Sequence, residues 1–493
     1  MSAAETQQAA QTVTTQEEAA SLLDQVIKVT RPQDEREAER TKSYFRRFLD
    51  EVVKPGHVVS NDVEANIKHW IGEIDKSLSD QLNEVMHHPD FQKMEGTWRG
   101  LHYLVHQSET GENLKIRVLN VTSKELFKDL ERAAEFDQSA LFKKIYEEEY
   151  GQLGGKPYGM LVGDYQFGRS AEDISLLTMI SQVAAAAHAP FVASASPKMF
   201  NMERFDEMPK PRDLAKIFES VEYAAWKSFR ESEDSRYTGL TLPRVLSRLP
   251  YGAKFKRVSE FNFEENVDGT DHDKYAWMNS AWAYAARITD AAAKWGWMAR
   301  TRGVEAGGKV EGLPVHTFYT DDGDIAMKCP TEIAISDRRE FELSNLGFLP
   351  LLHNKDTDNA VFMGAQSCQK PQAYFDPAAN ANAELSAKFN LLLCTSRFAH
   401  YLKVMARDKI GSFMETSDCE RWLNEWIRNY VVDPAGASDA VKAKRPLSDA
   451  RVDVRPVDGK PGWFEAVAYL RPHYQLETLT TSMRLVAEIP KRG

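Results

Sequence analysis

"YGMLVGDYQFGRSAEDISLLTMISQVAAAAHAPFVASAS" occupies residues 158–196. It falls into three pieces of different texture: "YGMLVGDYQF", "AEDISLLTMISQVAAAAHA" and "PFVASAS". The outer pieces are short, apolar and bounded by Gly, Ser or Pro, and read as strands. The middle piece is too long for a strand and reads as a helix. Parallel neighbours need a crossover of about this length, so the stretch predicts a parallel βαβ unit. Within it, "GDYQF" puts Asp164 at the end of the first predicted strand, where α/β enzymes often hold carboxylates. A lone aspartate fits a capping or loop-fixing role better than catalysis.

Upstream, "NLKIRVLNV" at 113–121 reads as a strand, followed by a helix through "SKELFKDLERAAEF". Before it comes "HHPDFQKMEGTWRGLHYLV" (87–105), with three histidines, an aspartate and a glutamate among aromatics. Pro89 suits the first turn of a helix. At about 100° per residue, Phe91, Met94, Trp98, Leu101 and Val105 share one face. His102 borders that face, while His87 and His88 precede the helix, so the histidines do not converge as ligands. The stretch is read as a packing helix with an aromatic face. Two further amphipathic helices precede it, on Phe45, Phe48, Leu49 and Val52, and on Val63, Ile67, Trp70, Ile71, Ile74, Leu78 and Leu82.

At the N-terminus, residues 1–16 are polar and read as disordered. Ala19, Leu22, Leu23, Val26 and Ile27 then mark one helical stripe, with Thr15 and Glu18 as a capping box and Pro32 as the stop. So short a helix needs a surface to lie against.

Downstream, 275–299 reads as a helix carrying Trp277, Trp282, Tyr284, Trp295 and Trp297. Strands are expected at 331–335 and 360–366. Near residue 375 the texture changes, giving helices at roughly 380–410 and 417–431. Strands follow in "ARVDVRPV", "WFEAVAYL" and "LETLTTSMRLVAEIP". In the last, Met483, Leu485, Ala487 and Ile489 alternate with Arg484, Val486 and Glu488. The expected domains are an N-terminal arm (1–40), a core (41–375) and a C-terminal domain (376–493). The fold class is α/β with α+β elements: a helical N-terminal region, a mixed βαβ core, then helices with strands.

The composition bounds function. The 493 residues, 42% apolar and 27% charged, have the balance of a soluble globular protein. A formal charge of −11 argues against general nucleic-acid binding, and no apolar run is long enough to cross a bilayer. Cys329, Cys368, Cys394 and Cys419 form no zinc-ligand spacing. "GQLGGKP" (151–157) fails as a phosphate loop: three residues separate Gly151 from Gly155, and Pro157 replaces the magnesium-binding hydroxyl. No catalytic, cofactor or metal site is expected.

The 87–105 stretch resembles the signature helix of the large sheath subunit of bacterial type VI secretion systems, the TssC/VipB/EvpB family. Phe91, Trp98, Arg99 and Gly100 carry that likeness. Other motifs agree in order: "GMLVGDYQF", "APFVASASPKMF", "SRYTGLTLPRVLSRLPYG", "FNFEE", "LGFLPLLHNKDTDNAVFMGAQSCQKP" and "RPHYQLETLTTSMRLVAEIP". The resemblance runs from about residue 41 to the C-terminus.

It implies a phage-tail-sheath-like fold and a structural, non-enzymatic role in the cytoplasm. The large subunit pairs with a small sheath subunit (TssB/VipA-like). The pairs assemble helically, copy upon copy from a baseplate, around an inner tube (Hcp-like). Contraction propels the tube, and an AAA+ ATPase (ClpV-like) dismantles the contracted sheath. That ATPase recognises an N-terminal helix in related systems, a role that would fall here to Leu22, Leu23, Val26 and Ile27. The final strand, on Met483, Leu485, Ala487 and Ile489, would pair with a neighbour's sheet edge. The alternative is a sheath subunit of a phage tail or another contractile injection device. A remote one is an α/β enzyme with a site near Asp164.

Overall fold

The computed structural model describes residues 34–52, 63–409, 415–456, 464–473 and 475. The chain divides into two compact units, Met1–Leu78 and Ser79–Gly493. The first contains α1 (Glu35–Val52) and most of α2 (Val63–Met86). On α2, Ile71, Ile74 and Leu78 are exposed and share one helical face.

The second unit is organised by a six-stranded sheet. Its helices and strands include α3 (Pro89–His106), α4 (Ser123–Arg132), β1 (Leu161–Phe167), α5 (Ala171–Ala186), β2 (Phe191–Ala195), α6 (Ala224–Glu231) and β3 (Thr238–Leu242). There follow β4 (Val245–Leu246), β5 (Trp277–Met278), α7 (Ser280–Trp295), β6 (Lys309–Val310), β7 (Thr317–Tyr319), β8 (Ile325–Met327), α8 (Asp337–Asn345), β9 (Leu349–His353) and β10 (Ala360–Phe362). The last are α9 (Pro377–Ser386), α10 (Phe389–Asp408), α11 (Thr416–Arg428), α12 (Asp439–Lys444), β11 (Leu447–Pro456) and β12 (Phe464–Pro472).

The sheet order is β1-β2-β3-β9-β10-β6. The first four strands run parallel, and β10 and β6 close the far side antiparallel. β1, α5 and β2 form the βαβ unit expected from 158–196. Helix α5 starts where Ser170 Oγ accepts from the Asp173 amide, and Asp173 in turn accepts from the Gly168 amide.

Strand alternation sends side chains to two cores. Phe191, Ala193 and Ala195 join Ile174, Leu177, Ile180 and Val183 of α5 on one face. Val192, Leu349 and Leu351 meet Ala281, Tyr284 and Ile288 of α7 on the other. The sheet is therefore covered on both sides, as a parallel sheet requires. Each fully buried Leu, Ile or Val contributes about 1.5–3 kcal/mol before ordering costs. A third core joins Phe398 of α10, Leu423 and Ile427 of α11 and Leu447, Val452 and Val454 of β11, with Trp297 stacked on Phe398 at 4.0 Å.

Several boundaries differ from the sequence reading. Residues 113–121 form no strand, and 331–335 make only an isolated bridge, Thr331 to Val245. The 275–299 helix begins at Ser280, because Trp277 and Met278 pair with β4 instead. The 380–410 helix is broken between α9 and α10. There the Ser367 amide donates to Ala387 O and the Phe389 amide donates to Ala365 O. Main-chain bonding to a neighbouring segment replaces the helical ladder at that point. No helix among the described residues is long and apolar enough to cross a membrane.

Candidate assembly surfaces

Helix α3 starts at His88, whose extended backbone places Nδ1 to accept from the Asp90 amide at 3.3 Å, with Pro89 next. Its buried side carries Gly96, Gly100 and Leu104. A Cβ on Gly96 would lie 2.3 Å from the Trp277 carbonyl oxygen, and one on Gly100 would lie 2.2 Å from Trp282 Cδ1. The two glycines let α3 lie flush against β5 and α7. The aromatic face expected to pack points elsewhere. Phe91 and Leu101 are half-buried, while Met94, Val105 and Trp98 are exposed, Trp98 by 65%. That correction has a simple cause: the close contact is made by missing side chains, which a hydrophobic pattern does not register.

Polar groups lock the same contact. Asp164 sits fourth in the seven residues of β1, not at its end. One carboxylate oxygen accepts from Thr97 Oγ1 of α3 and the other from Trp282 Nε1 of α7 at 3.2 Å. Asp164 thus ties two helices to the sheet, and both of its oxygens are occupied.

Beside it, Arg248 donates to Glu95 (2.6 Å) and to Glu265 (2.6 and 3.0 Å). Arg99 donates to Glu95 at 2.7 Å and to Tyr251 OH at 2.9 Å. The Tyr251 amide donates to Glu265 at 2.8 Å. Two arginines meet two carboxylates, so the charges balance inside a largely buried site. Burial works against the Glu95 charge, but hydrogen bonds and charge from Arg248 and Arg99 outweigh it and hold its carboxyl below the usual range.

Sequence reading missed this network. Arg248 and Tyr251 lie in "SRYTGLTLPRVLSRLPYG" and Glu265 in "FNFEE", so the only available signal was that three motifs each carried charged or phenolic groups. Among the described residues, no group of three or more His, Cys, Asp or Glu is placed to hold a metal ion.

The second surface is the β11–β12 ribbon, paired antiparallel from Leu447↔Pro472 to Pro456↔Phe464. Helix α11 closes the outer edge of β11. Asn424 Nδ2 donates to Val452 O (2.7 Å), Asn424 Oδ1 accepts from the Val452 amide (3.0 Å), and Glu420 accepts from the Val454 amide (3.1 Å). Among the described residues β12 pairs only with β11, and none of them adds a strand to its other edge. Leu22, Leu23, Val26 and Ile27, and Met483, Leu485, Ala487 and Ile489, lie outside the described residues.

Residues 68–369 match the family described as EvpB/VC_A0108, tail sheath N-terminal domain. The chain belongs to this tail sheath family. Residues 378–489 match its second region, the tail sheath gpW/gp25-like domain. Sheath membership agrees with the mixed α/β architecture and with the expectation from the signature helix. The chain is 53% identical over 488 residues to the "Type VI secretion system sheath protein TssC1" of Pseudomonas aeruginosa strain PAO1, covering 98% of each chain. Two solved structures show a distant likeness. The baseplate of the anti-feeding prophage gives a TM-score of 0.33 at 8% identity, covering 64% of this chain and 66% of that one. The contracted helical sheath of the same particle gives 0.30 at 9%, covering 64% and 75%.

Proposed function

We propose that this tail sheath protein is the large structural subunit of a type VI secretion sheath. The observation that carries the proposal is the end-to-end 53% identity to a type VI sheath protein. In this reading the chain works in the cytoplasm without an active site of its own. It pairs with a small sheath subunit, and the pairs stack head to tail into a helix around an inner tube, the open-ended geometry that non-closing contacts produce.

The two chain ends do the linking and the recycling. The final strand, through Met483, Leu485, Ala487 and Ile489, adds to a neighbour's exposed sheet edge, for which β12 has the right chemistry. The stripe on Leu22, Leu23, Val26 and Ile27 is the handle for an AAA+ ATPase. A single such stripe binds weakly, and many copies along a sheath raise the avidity. The test is electron microscopy of the chain co-expressed with its small partner. Tubules support the reading, and a well-behaved monomer that never forms them refutes it.

A further inference from the structure

Residues 115–121 present an unmet demand for a β-partner. The sequence reads as a strand there, yet the segment forms neither helix nor strand, and among the described residues none of its amides or carbonyls joins a main-chain hydrogen bond. It runs beside β1, which ends the sheet. Among the described residues, side chains hold the segment in place. Tyr165 OH donates to Val121 O at 2.8 Å, Arg117 donates to Tyr158 OH at 3.2 Å, and Ile116 packs on the Leu104–Trp282 cluster.

Consecutive residues of an extended chain point to opposite sides. An edge segment of a lone subunit needs apolar side chains on one side only. Here Val118 is 68% exposed and Leu119 is 53% exposed, so in a strand both sides would carry large apolar groups into solvent. No proline interrupts the segment, so each of its amides keeps a proton to donate to a strand.

The local charge describes what fits. Lys115 and Lys156 are both exposed, and their ammonium groups adjoin. Arg117 is the third cation and is already paired with Glu149. These three cations gather around the Glu149 carboxylate, which also accepts from the Lys156 amide at 2.8 Å, and the excess positive charge favours an incoming anionic group.

We propose that Leu114–Val121 and the open edge of β1 receive a β-strand from another polypeptide chain, one whose apolar residues alternate with carboxylates. Main-chain hydrogen bonds would anchor that strand, Val118 and Leu119 would set its register, and Lys115 and Lys156 would select its acidic side chains. The inference rests on the chain assembling with other subunits, but it uses residues other than those at either chain end or in β12.

Hydrogen–deuterium exchange on the isolated chain and on assembled tubules tests it, with a photo-crosslinking amino acid at position 119 as the second readout. The expected result is fast exchange of the 115–121 amides in the isolated chain and at least about 100-fold slowing in tubules. Position 119 should crosslink to an extended, carboxylate-bearing segment of a different chain. Equal exchange in both samples overturns the proposal, as does protection already present in the isolated chain or a crosslink within the same chain. Failure of the wild-type chain to form tubules sinks the sheath reading along with it. Tubules whose 115–121 amides exchange freely sink this inference alone. Val118→Pro should lose tubules while Val118→Thr keeps them, since only proline removes the amide.

Discussion

Two glycine-to-alanine substitutions on helices should shift stability in opposite directions. At Gly96 of α3, the new methyl would lie 2.3 Å from the Trp277 carbonyl oxygen. Comfortable contact needs about 3.5 Å, so α3 has to withdraw by about 1 Å. The obstacle is backbone held in the β4–β5 pair, which does not swing aside as a side-chain tip would. Overpacking of this kind costs about 1–3 kcal/mol. Withdrawal also stretches the Thr97–Asp164 hydrogen bond, worth about 1.5–3 kcal/mol because the acceptor is charged. Alanine's better helix propensity returns only about 0.5–1 kcal/mol. The net expectation for Gly96→Ala is a loss of about 2–4 kcal/mol.

Gly72 of α2 is exposed and has nothing within 4 Å of its would-be Cβ. Gly72→Ala should gain about 0.5–1 kcal/mol from propensity alone. Urea unfolding followed by tryptophan fluorescence is the assay, since Trp277 and Trp282 sit at the α3 contact. If Gly96→Ala is as stable as the parent, or if both variants move the same way, the flush-packing argument for α3 is wrong.

Arg248→Met should destabilise by about 3–5 kcal/mol, because it leaves the Glu265 carboxylate buried without its partner. Adding Glu265→Gln should recover part of that loss in a double-mutant cycle, and strictly additive effects would refute the coupling. Glu95, held below its ordinary range, stabilises the fold above its unfolded pKa of about 4.3, and that support disappears as pH falls through the lower folded value. Glu95→Gln should flatten this acid limb in pH-dependent unfolding.

His400 is a buried base whose Nε2 faces Ala187 O at 2.9 Å, and burial lowers its pKa to about 4. The unfolded chain, near 6.5, binds the proton first, so stability falls from about pH 6.5 down to about 4 by roughly 2–4 kcal/mol. His400→Gln should remove that slope. At the chain ends, Leu23→Asp should leave tubules intact but abolish ATPase-driven disassembly, and truncation before Leu476 should block assembly. Both are read by microscopy.

The core of the fold was legible because burial writes itself into sequence. The 158–196 stretch alternates apolar strand, helix and strand textures, and the structure returns β1, α5 and β2 with both sheet faces covered. Helix α3 was legible as a helix, with Pro89 in its first turn. The side on which it packs was not legible. Periodicity places apolar side chains inward by default, yet Gly96 and Gly100 make the contact and Trp98 faces out. A glycine's contribution to packing depends on what approaches it, and that is known only once β5 and α7 are in place.

The same division holds for the polar network and for the unpaired segment. Glu95, Arg248 and Glu265 are far apart in the chain, and only the tertiary fold makes them one charge-balanced cluster. Asp164 looked like a strand-end carboxylate, and its neighbours Thr97 and Trp282 turned it into a structural tie. Residues 113–121 carry strand propensity in their own side chains, but a strand exists only when another backbone supplies hydrogen bonds, and none of the described residues does so for 115–121. The sequence by itself determined the β1–α5–β2 unit, the helix α3 and the family to which the chain belongs. Tertiary structure decided which faces are spent on the subunit's own core and which are left for another chain, because burial and pairing depend on neighbours that no local pattern contains.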